Sequence, residues 1–317
     1  MPPLPSYILI TPARNEARYI EATIQAMIAQ THRPLKWVIA SDGSSDSTDE
    51  IVRSYLAEHD WIELFRMPER EERNFAGKAH AFNAGYERVK SCGFEVIGNL
   101  DADVTFDADH FEYLIEKMAD SPDVGVAGSP FREGKHQYDF RFTNIENVWG
   151  GCQLFRRACF EAIGGYQPLR NGCIDHVAVL SARMKGWKTL TFIDKVCLHH
   201  RKMGTALKGE LRAKIKHGEK DYMVGNHPLW EMLRAVYQMK RRPLLIGGLA
   251  LGVGYTWSLI RRREIILTPE LIAFARKEQI QRLRNVLTGN APKKSGHGIA
   301  VRRSAPLGAT DTPSDQR

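Results

Sequence analysis

The fold class that this 317-residue sequence predicts is α/β: a doubly wound, mostly parallel sheet followed by a basic helical appendage. Three observations point to it. Short apolar runs alternate with segments of helical periodicity up to about residue 100, the pattern of successive βαβ units. The runs end in small polar residues, where open α/β sheets bind their ligands. The charge also divides along the chain: residues 1–200 hold 22 Lys+Arg against 28 Asp+Glu, whereas residues 201–317 hold 23 against 9, so the net +8 belongs to the C-terminal third. A chain of this length buries a full α/β core with some tens of residues left over.

The elements follow in order. Tyr7–Thr11 is an apolar strand ended by Pro12, and Ile20, Ile24, Met27 and Ile28 then mark one face of a helix. Lys36–Ser41 is the second strand, followed by a helix carrying Ile51, Val52, Tyr55 and Leu56. A third strand near Glu63–Arg66, a helix over roughly 77–90 and the run Phe94–Gly98 complete the alternation. Further on come a helix near 107–119, a strand near Val124–Ala127, a glycine-opened strand at Trp149–Phe155 and a helix at Arg156–Ile163 closed by Gly164-Gly165. Asp175–Lys185 reads as helix up to Gly186, and Thr189–Phe192 and Val196–Leu198 as short strands. Residues 205–242 read as basic amphipathic helix, and past 290 the Gly, Ser, Pro, Thr and Arg content predicts disorder.

The strand ends hold the chemistry. Asp101-Ala102-Asp103 follows an apolar strand, and side chains two apart on a strand point the same way, so both carboxylates can enter one site. Two hard oxygen donors there suit Mg²⁺ or Mn²⁺ carrying a diphosphate. Asp42, at the next strand's end, can accept an imide N–H such as that of uracil, or can cap a helix, a role open equally to Ser45, Asp46 or Ser47. Lys78 follows a glycine at a helix start, where a cation opposes the helix dipole unless it faces an anion. Lys78 and Arg73 are therefore expected near the nucleotide in preference to a solvated face.

Five motifs, in order and at similar spacing, resemble those of the family 2 glycosyltransferases. They are Thr11-Pro12-Ala13-Arg14-Asn15-Glu16, Asp42-Gly43-Ser44-Ser45-Asp46-Ser47-Thr48, Gly77-Lys78-Ala79-His80-Ala81-Phe82-Asn83-Ala84-Gly85, Asp101-Ala102-Asp103, and Gly151 through Arg156-Arg157 to Gly164-Gly165-Tyr166. The resemblance covers about residues 7–200 and implies the GT-A (nucleotide-diphospho-sugar transferase) fold and inverting, non-processive transfer. It implies that Pro12, Asn15 and Glu16 line the nucleotide pocket with Asp42, and that Asp103 is the direct ligand of Mn²⁺ or Mg²⁺. Asp101 then reaches the ribose, or the metal through water. Gly151 and Arg156 fall on the acceptor side. A histidine often completes such a metal site in that family, and of His199 and His200 the second is expected to do so. The base falls on Asp175, whose plainer reading is a helix N-cap; Ile174 stands before it where the family has Glu. The Q-x-x-R-W signature of processive synthases is missing after residue 175.

Pro243–Ile260 holds no charge and lies between Lys240-Arg241-Arg242 and Arg261-Arg262-Arg263. It is marginal for crossing a hydrocarbon core of ~30 Å. An interfacial or re-entrant helix on the cytoplasmic leaflet satisfies both basic flanks, with Tyr255 and Trp257 at headgroup depth; a helix packed in protein through its glycines is the alternative. Leu267-Thr268-Pro269-Glu270 starts a last helix, which lies on anionic lipid or packs back on the catalytic domain. The five cysteines form no C-x-x-C pair and fit a reducing compartment, and the N-terminus shows no secretory signal.

The expected organisation is a catalytic domain over 1–204, a helical segment over 205–290 with a membrane-associated helix near 243–260, and a disordered basic tail over 291–317. The expected activity is transfer of one sugar from a nucleotide-diphospho-sugar, with UDP favoured, to a lipid-linked or polysaccharide-precursor acceptor at the cytoplasmic face of the membrane, whether peripheral, re-entrant or single-span. No nucleic-acid partner is expected, because no recognition module accompanies the basic charge. A nucleotidyltransferase would show a Gly-rich basic loop after the first strand, which is missing here; a non-catalytic scaffold is favoured only by Ile174.

Overall fold

The computed structural model describes residues 3–69, 74–134, 136–137, 144–201, 209–240 and 244–288. Arg73, expected near the nucleotide, and the basic tail at 291–317 lie outside the described residues. The first half runs β1 (Tyr7–Ala13), α1 (Ile20–Ile28), β2 (Lys36–Ser41), α2 (Thr48–Leu56), β3 (Ile62–Arg66), α3 (Ala76–Val89), β4 (Val96–Leu100), β5 (Val104–Thr105), α4 (His110–Ala119) and β6 (Val124–Gly128). There follow β7 (Phe131–Glu133), β8 (His136–Gln137), β9 (Cys152–Arg156), α5 (Arg157–Ala162), α6 (Ile174–Met184), β10 (Lys188–Thr191) and β11 (Cys197–His199). Four helices close the chain: α7 (Glu210–Met223), α8 (Pro228–Gln238), α9 (Ile246–Ile260) and α10 (Pro269–Leu287).

The main sheet has seven strands in the order β10-β6-β9-β4-β1-β2-β3. All neighbours are parallel except β9, which runs antiparallel to both β4 and β6. β1 and β4 are buried along their length apart from Pro12 at the end of β1, as central strands of a sheet covered on both faces must be. One face packs on α1, α2 and α4 through Ile24, Met27, Val52, Phe111 and Met118; the other packs on α3, α5 and α6 through Phe82, Phe160 and Val179. A second sheet, β5-β11-β7-β8, stands beyond the carboxyl end of β4. Its pairing of His199 with Val104 fixes which side of β11 faces the D-x-D turn.

The segment expected as one helix over 205–242 is broken. Gly225, with φ of +74°, and Pro228 end α7 and open α8, because a left-handed residue followed by a proline at a first helical position cannot continue a helix. α9 has only 15 residues, and among the described residues no helix is long and apolar enough to cross a membrane. One face of α9 lies against α7 and α8. A Cβ on Gly254 would come within 2.0 Å of the Ile215 carbonyl oxygen, and one on Gly248 within 2.3 Å of that of Ala235, so the glycines permit backbone-to-backbone approach. The other face leaves Ile246, Leu249, Val253, Trp257 and Ile260 about half exposed or more, and Met232 and Val236 of α8 are exposed as well. α10 packs back on the sheet domain: Leu267, Leu271 and Ala275 join Val177 and Leu180 of α6, and Arg183 donates to Glu278 at 3.0 Å.

Candidate active site

Three parallel strands deliver their carboxyl ends to one edge of the sheet. At the end of β1 the chain turns through Asn15, whose φ of +57° is one that asparagine tolerates better than most residues. The Asn15 side chain accepts from the Ser45 N–H at 2.8 Å, and its own N–H donates to Ser44 Oγ at 3.2 Å, tying the β1 turn to the β2 turn. Asp42 is buried and 3.7 Å from the Arg14 guanidinium. It does not cap the next helix: Asp46 takes the N–H of Thr48 at 3.1 Å. Pro12 is the last residue but one of β1, paired with Ala40 of β2.

Next to this edge lies a cluster of carboxylates. Glu16 accepts from Arg201, and Arg201 also reaches Asp103 at 3.4 Å. Asp101 takes the Lys78 ammonium at 2.5 Å, and Lys78 also lies 3.4 Å from the Gly150 carbonyl. The lysine thus stands on the first turn of α3 because it faces an anion, which offsets its conflict with the helix dipole. Burial raises the Glu16 carboxyl to about 7, with Arg201 pulling it down and Asp103 and Asp101 pushing it up. Burial also opposes the charge on Asp103, yet His199, Arg201 and Lys78 outweigh it and hold that carboxyl below its usual range.

The histidine that meets the cluster is His199. Its Nε2 lies 3.5 Å from Asp103 and its Nδ1 3.3 Å from Glu133, and these two acids raise its pKa against the effect of burial. The expectation of His200 is therefore corrected: its Nε2 is 2.8 Å from Thr105 Oγ1, its ring stacks near Tyr19 and it is exposed. Neighbouring residues on a strand face opposite ways, so only one of the two can point to Asp103.

Asp175 sits in the first turn of α6, after Gly172 and Cys173, both left-handed with φ of +90° and +66°. The N-cap is Cys173, so the reading of Asp175 as a cap fails. Its carboxylate lies over Gly150, where a Cβ would meet Asp175 Oδ2 at 2.7 Å, and it is close enough to Lys78 to favour that residue's charged form. Gly151 is equally constrained: its carbonyl accepts from the Asp101 N–H at 2.8 Å, and a Cβ would strike the Trp149 ring at 2.1 Å. Arg156 is at the other end of the sheet. β9 runs antiparallel, so Arg156 pairs with Val96 at the start of β4, and its guanidinium donates to the carbonyls of Val124, Ser121 and Met118. The acceptor-side role expected of it is corrected to a clamp on the turn before β6.

The structure thus gathers Glu16, Lys78, Asp101, Asp103 and Asp175 with two groups that the sequence reading did not assign, His199 and Arg201. Several carboxylates with a histidine, one of them driven to about 7 partly by its neighbours' charge, fit a divalent cation: a bound cation would relieve the repulsion. The only signal for Arg201 was its place directly after the two histidines.

Residues 8–150 match the family profile described as Glycosyl transferase family 2. The poly-beta-1,6-N-acetyl-D-glucosamine synthase of Staphylococcus epidermidis is 32% identical over 133 residues, 42% of this chain and 30% of that protein. The enzyme of the same name from Staphylococcus aureus gives the same figures. The chain thus spans under a third of the length of these relatives. Among solved structures, the Pyrobaculum calidifontis mannosyltransferase PcManGT, in complex with GDP-Man and Mn²⁺, superposes with a TM-score of 0.54 at 19% identity, covering 90% of this chain and 84% of that one. S. aureus TarS 1-349 in complex with UDP-GlcNAc gives 0.51 at 14%, covering 87% and 81%. These likenesses agree with the sheet order and show the GT-A fold.

Proposed function

From the premise that residues 8–150 are a family 2 glycosyl transferase domain, we propose that this chain transfers one sugar from a nucleotide-diphospho-sugar to a saccharide or lipid-linked acceptor, with inversion at the anomeric carbon. The observation that carries the proposal is the convergence of Glu16, Asp101 and Asp103 with Lys78 and Arg201 at the carboxyl edge of the sheet, beside Asp175. Asp42 takes the base of the nucleotide, and UDP is favoured because a buried carboxylate accepts the uracil N3–H. Asp103 and His199 would hold Mn²⁺ or Mg²⁺, with Asp101 as a further oxygen donor. The cation supplies Lewis-acid stabilisation of the leaving diphosphate. Lys78 and Arg201 add positive charge to the same oxygens. Asp175 accepts the acceptor hydroxyl proton on its carboxylate.

The outer face of α8 and α9 supports a location on a membrane surface. Leu249, Val253, Trp257 and Ile260 form an exposed apolar stripe, and Lys240, Arg261 and Arg262 stand at the ends of the two helices. An apolar stripe with basic ends matches an anionic leaflet, the helices lying in the interface and not across it.

Two measurements test the proposal. Calorimetric titration with UDP and with GDP, with and without Mn²⁺, is expected to give metal-dependent binding of UDP that Asp103→Asn abolishes; metal-independent binding, or none, would reject the donor site. Sedimentation with phosphatidylglycerol vesicles is expected to capture the wild type and to lose Leu249→Asp. Equal capture by neutral vesicles would remove the electrostatic part of the membrane reading.

A further inference from the structure

Close to the D-x-D turn, where Cys152 of β9 pairs with Leu100 of β4, lies a polar cluster that the transfer chemistry does not use. His110 from the first turn of α4, Cys152 from β9, Cys197 from β11 and Ser129 from the turn after β6 are all fully buried. The His110 Nε2 is 3.5 Å from Cys197 Sγ, 3.8 Å from Cys152 Sγ and 3.3 Å from Ser129 Oγ. Ser129 Oγ is also 3.3 Å from Cys197 Sγ. The ligand atoms of the histidine and both cysteines lie within 4.8 Å of one another.

Hydrogen bonding does not account well for this arrangement. An imidazole Nε2 either donates one proton or accepts one, yet three polar atoms crowd it, and thiols are weak partners in either role. The distances from His110 to its three neighbours, and from Ser129 to Cys197, are instead those of corners around a common centre. Ligands at the usual Zn–S and Zn–N distances of about 2.3 and 2.0 Å stand roughly 3.3 to 3.8 Å apart when tetrahedral. Two thiolates would also neutralise a divalent cation, so the filled site would bury no net charge.

We propose that Cys152, Cys197 and His110 bind one Zn²⁺ ion, with Ser129 Oγ at the fourth corner. The site is structural: four protein groups close it, and no ligand atom is exposed. Binding replaces the two thiol protons, which leave to solvent, by two Zn–S bonds and needs no oxidant or reductant. The ion ties three elements that chain order leaves far apart, and it anchors β11 two residues before His199. The proposal does not depend on the identity of the donor sugar or on the reaction.

The test uses the full chain, purified without a polyhistidine tag, stripped with chelator under reductant and titrated with Co²⁺. A thiolate-to-cobalt charge-transfer band that saturates at one equivalent of Co²⁺ is expected, displaced by Zn²⁺, unchanged in Asp103→Asn and in Cys92→Ser, and lost in Cys152→Ser and Cys197→Ser. X-ray absorption on the zinc-loaded wild type, which needs no variant to fold, is expected to show two sulfur neighbours. A folded wild type that binds Co²⁺ without the thiolate band, or takes up no ion, overturns the proposal. So does a Cys152–Cys197 disulfide found by peptide mapping after lysis under alkylating conditions.

Discussion

Asp175 and Asp103 are separable by measurement, because one is proposed to serve the acceptor and the other the diphosphate. Asp175→Asn keeps the size of the side chain and removes its basicity, so transfer is expected to fall by about 10²–10⁴-fold while metal-dependent UDP binding stays at the wild-type level. Product assay alongside calorimetry checks both halves. His199→Ala is expected to weaken Mn²⁺-dependent nucleotide binding by about 10–100-fold, and His200→Ala to leave it within a few-fold. A larger effect at His200 would mean that the strand faces the other way, and equal effects would take the cation away from His199. This is also where sequence reading reaches its limit. The motif order located the pair His199-His200, but adjacent strand residues differ only in the face they point to. That face is set by the pairing of His199 with Val104, a contact 95 residues away in the chain. Arg156 shows the same limit at longer range: the motif is intact, yet the antiparallel direction of β9 sends its last residue away from the site.

Single helices carry their own tests. α9 meets α7 and α8 through glycines, so Gly254→Leu is expected to destabilise the helical appendage by about 1–3 kcal/mol or more in denaturant unfolding, by forcing the backbones apart. A pH effect belongs to α8. Burial and the neighbouring Asp221 raise the Glu231 carboxyl from 4.5 to about 7, with Arg234 pulling it back. The folded state therefore holds this proton more tightly than the unfolded chain, and the contribution is present below pH 4.5 and is lost as pH rises to 7. Glu231→Gln is accordingly expected to melt above the wild type at pH 8, the gap closing as the pH is lowered through that window. The sequence showed an uncharged segment at 243–260 and its glycines; one stripe of α9 packs in protein, as the second reading has it, and the other is bare. Which residues fall on which stripe depended on where α7 and α8 pack, and hence on the break at Gly225 that periodicity across 205–242 had bridged. α10 resolved the other way: of lipid or protein as its partner, Leu271 and Ala275 chose α6.

At the scale of the molecule, charge and sheet order matter most. The acidic residues 1–200 and the basic remainder have opposite preferences for an anionic surface, so vesicle binding is expected to weaken steeply between low and physiological salt, while the apolar stripe keeps some binding at high salt. Loss of all binding in salt would assign the attachment to charge alone. The alternation of strands and helices made the parallel half of the sheet legible, because each βαβ unit is local in sequence. The cysteine cluster was not legible, since its histidine and two cysteines stand in three elements and share no spacing. Nor was the reversal of β9, which is placed by neighbours on both sides. That reversal has a consequence for synthesis. β6 bonds to β9 on one side and β10 on the other, and β4 needs β9 as well, so the segment 8–150 leaves the ribosome with both strands lacking those partners. Unpaired edges of apolar strands recruit other chains. A nascent chain arrested at residue 150 is thus expected to need a chaperone, and it still lacks His199 and Arg201, although Asp42, Lys78, Asp101 and Asp103 have all been translated by then.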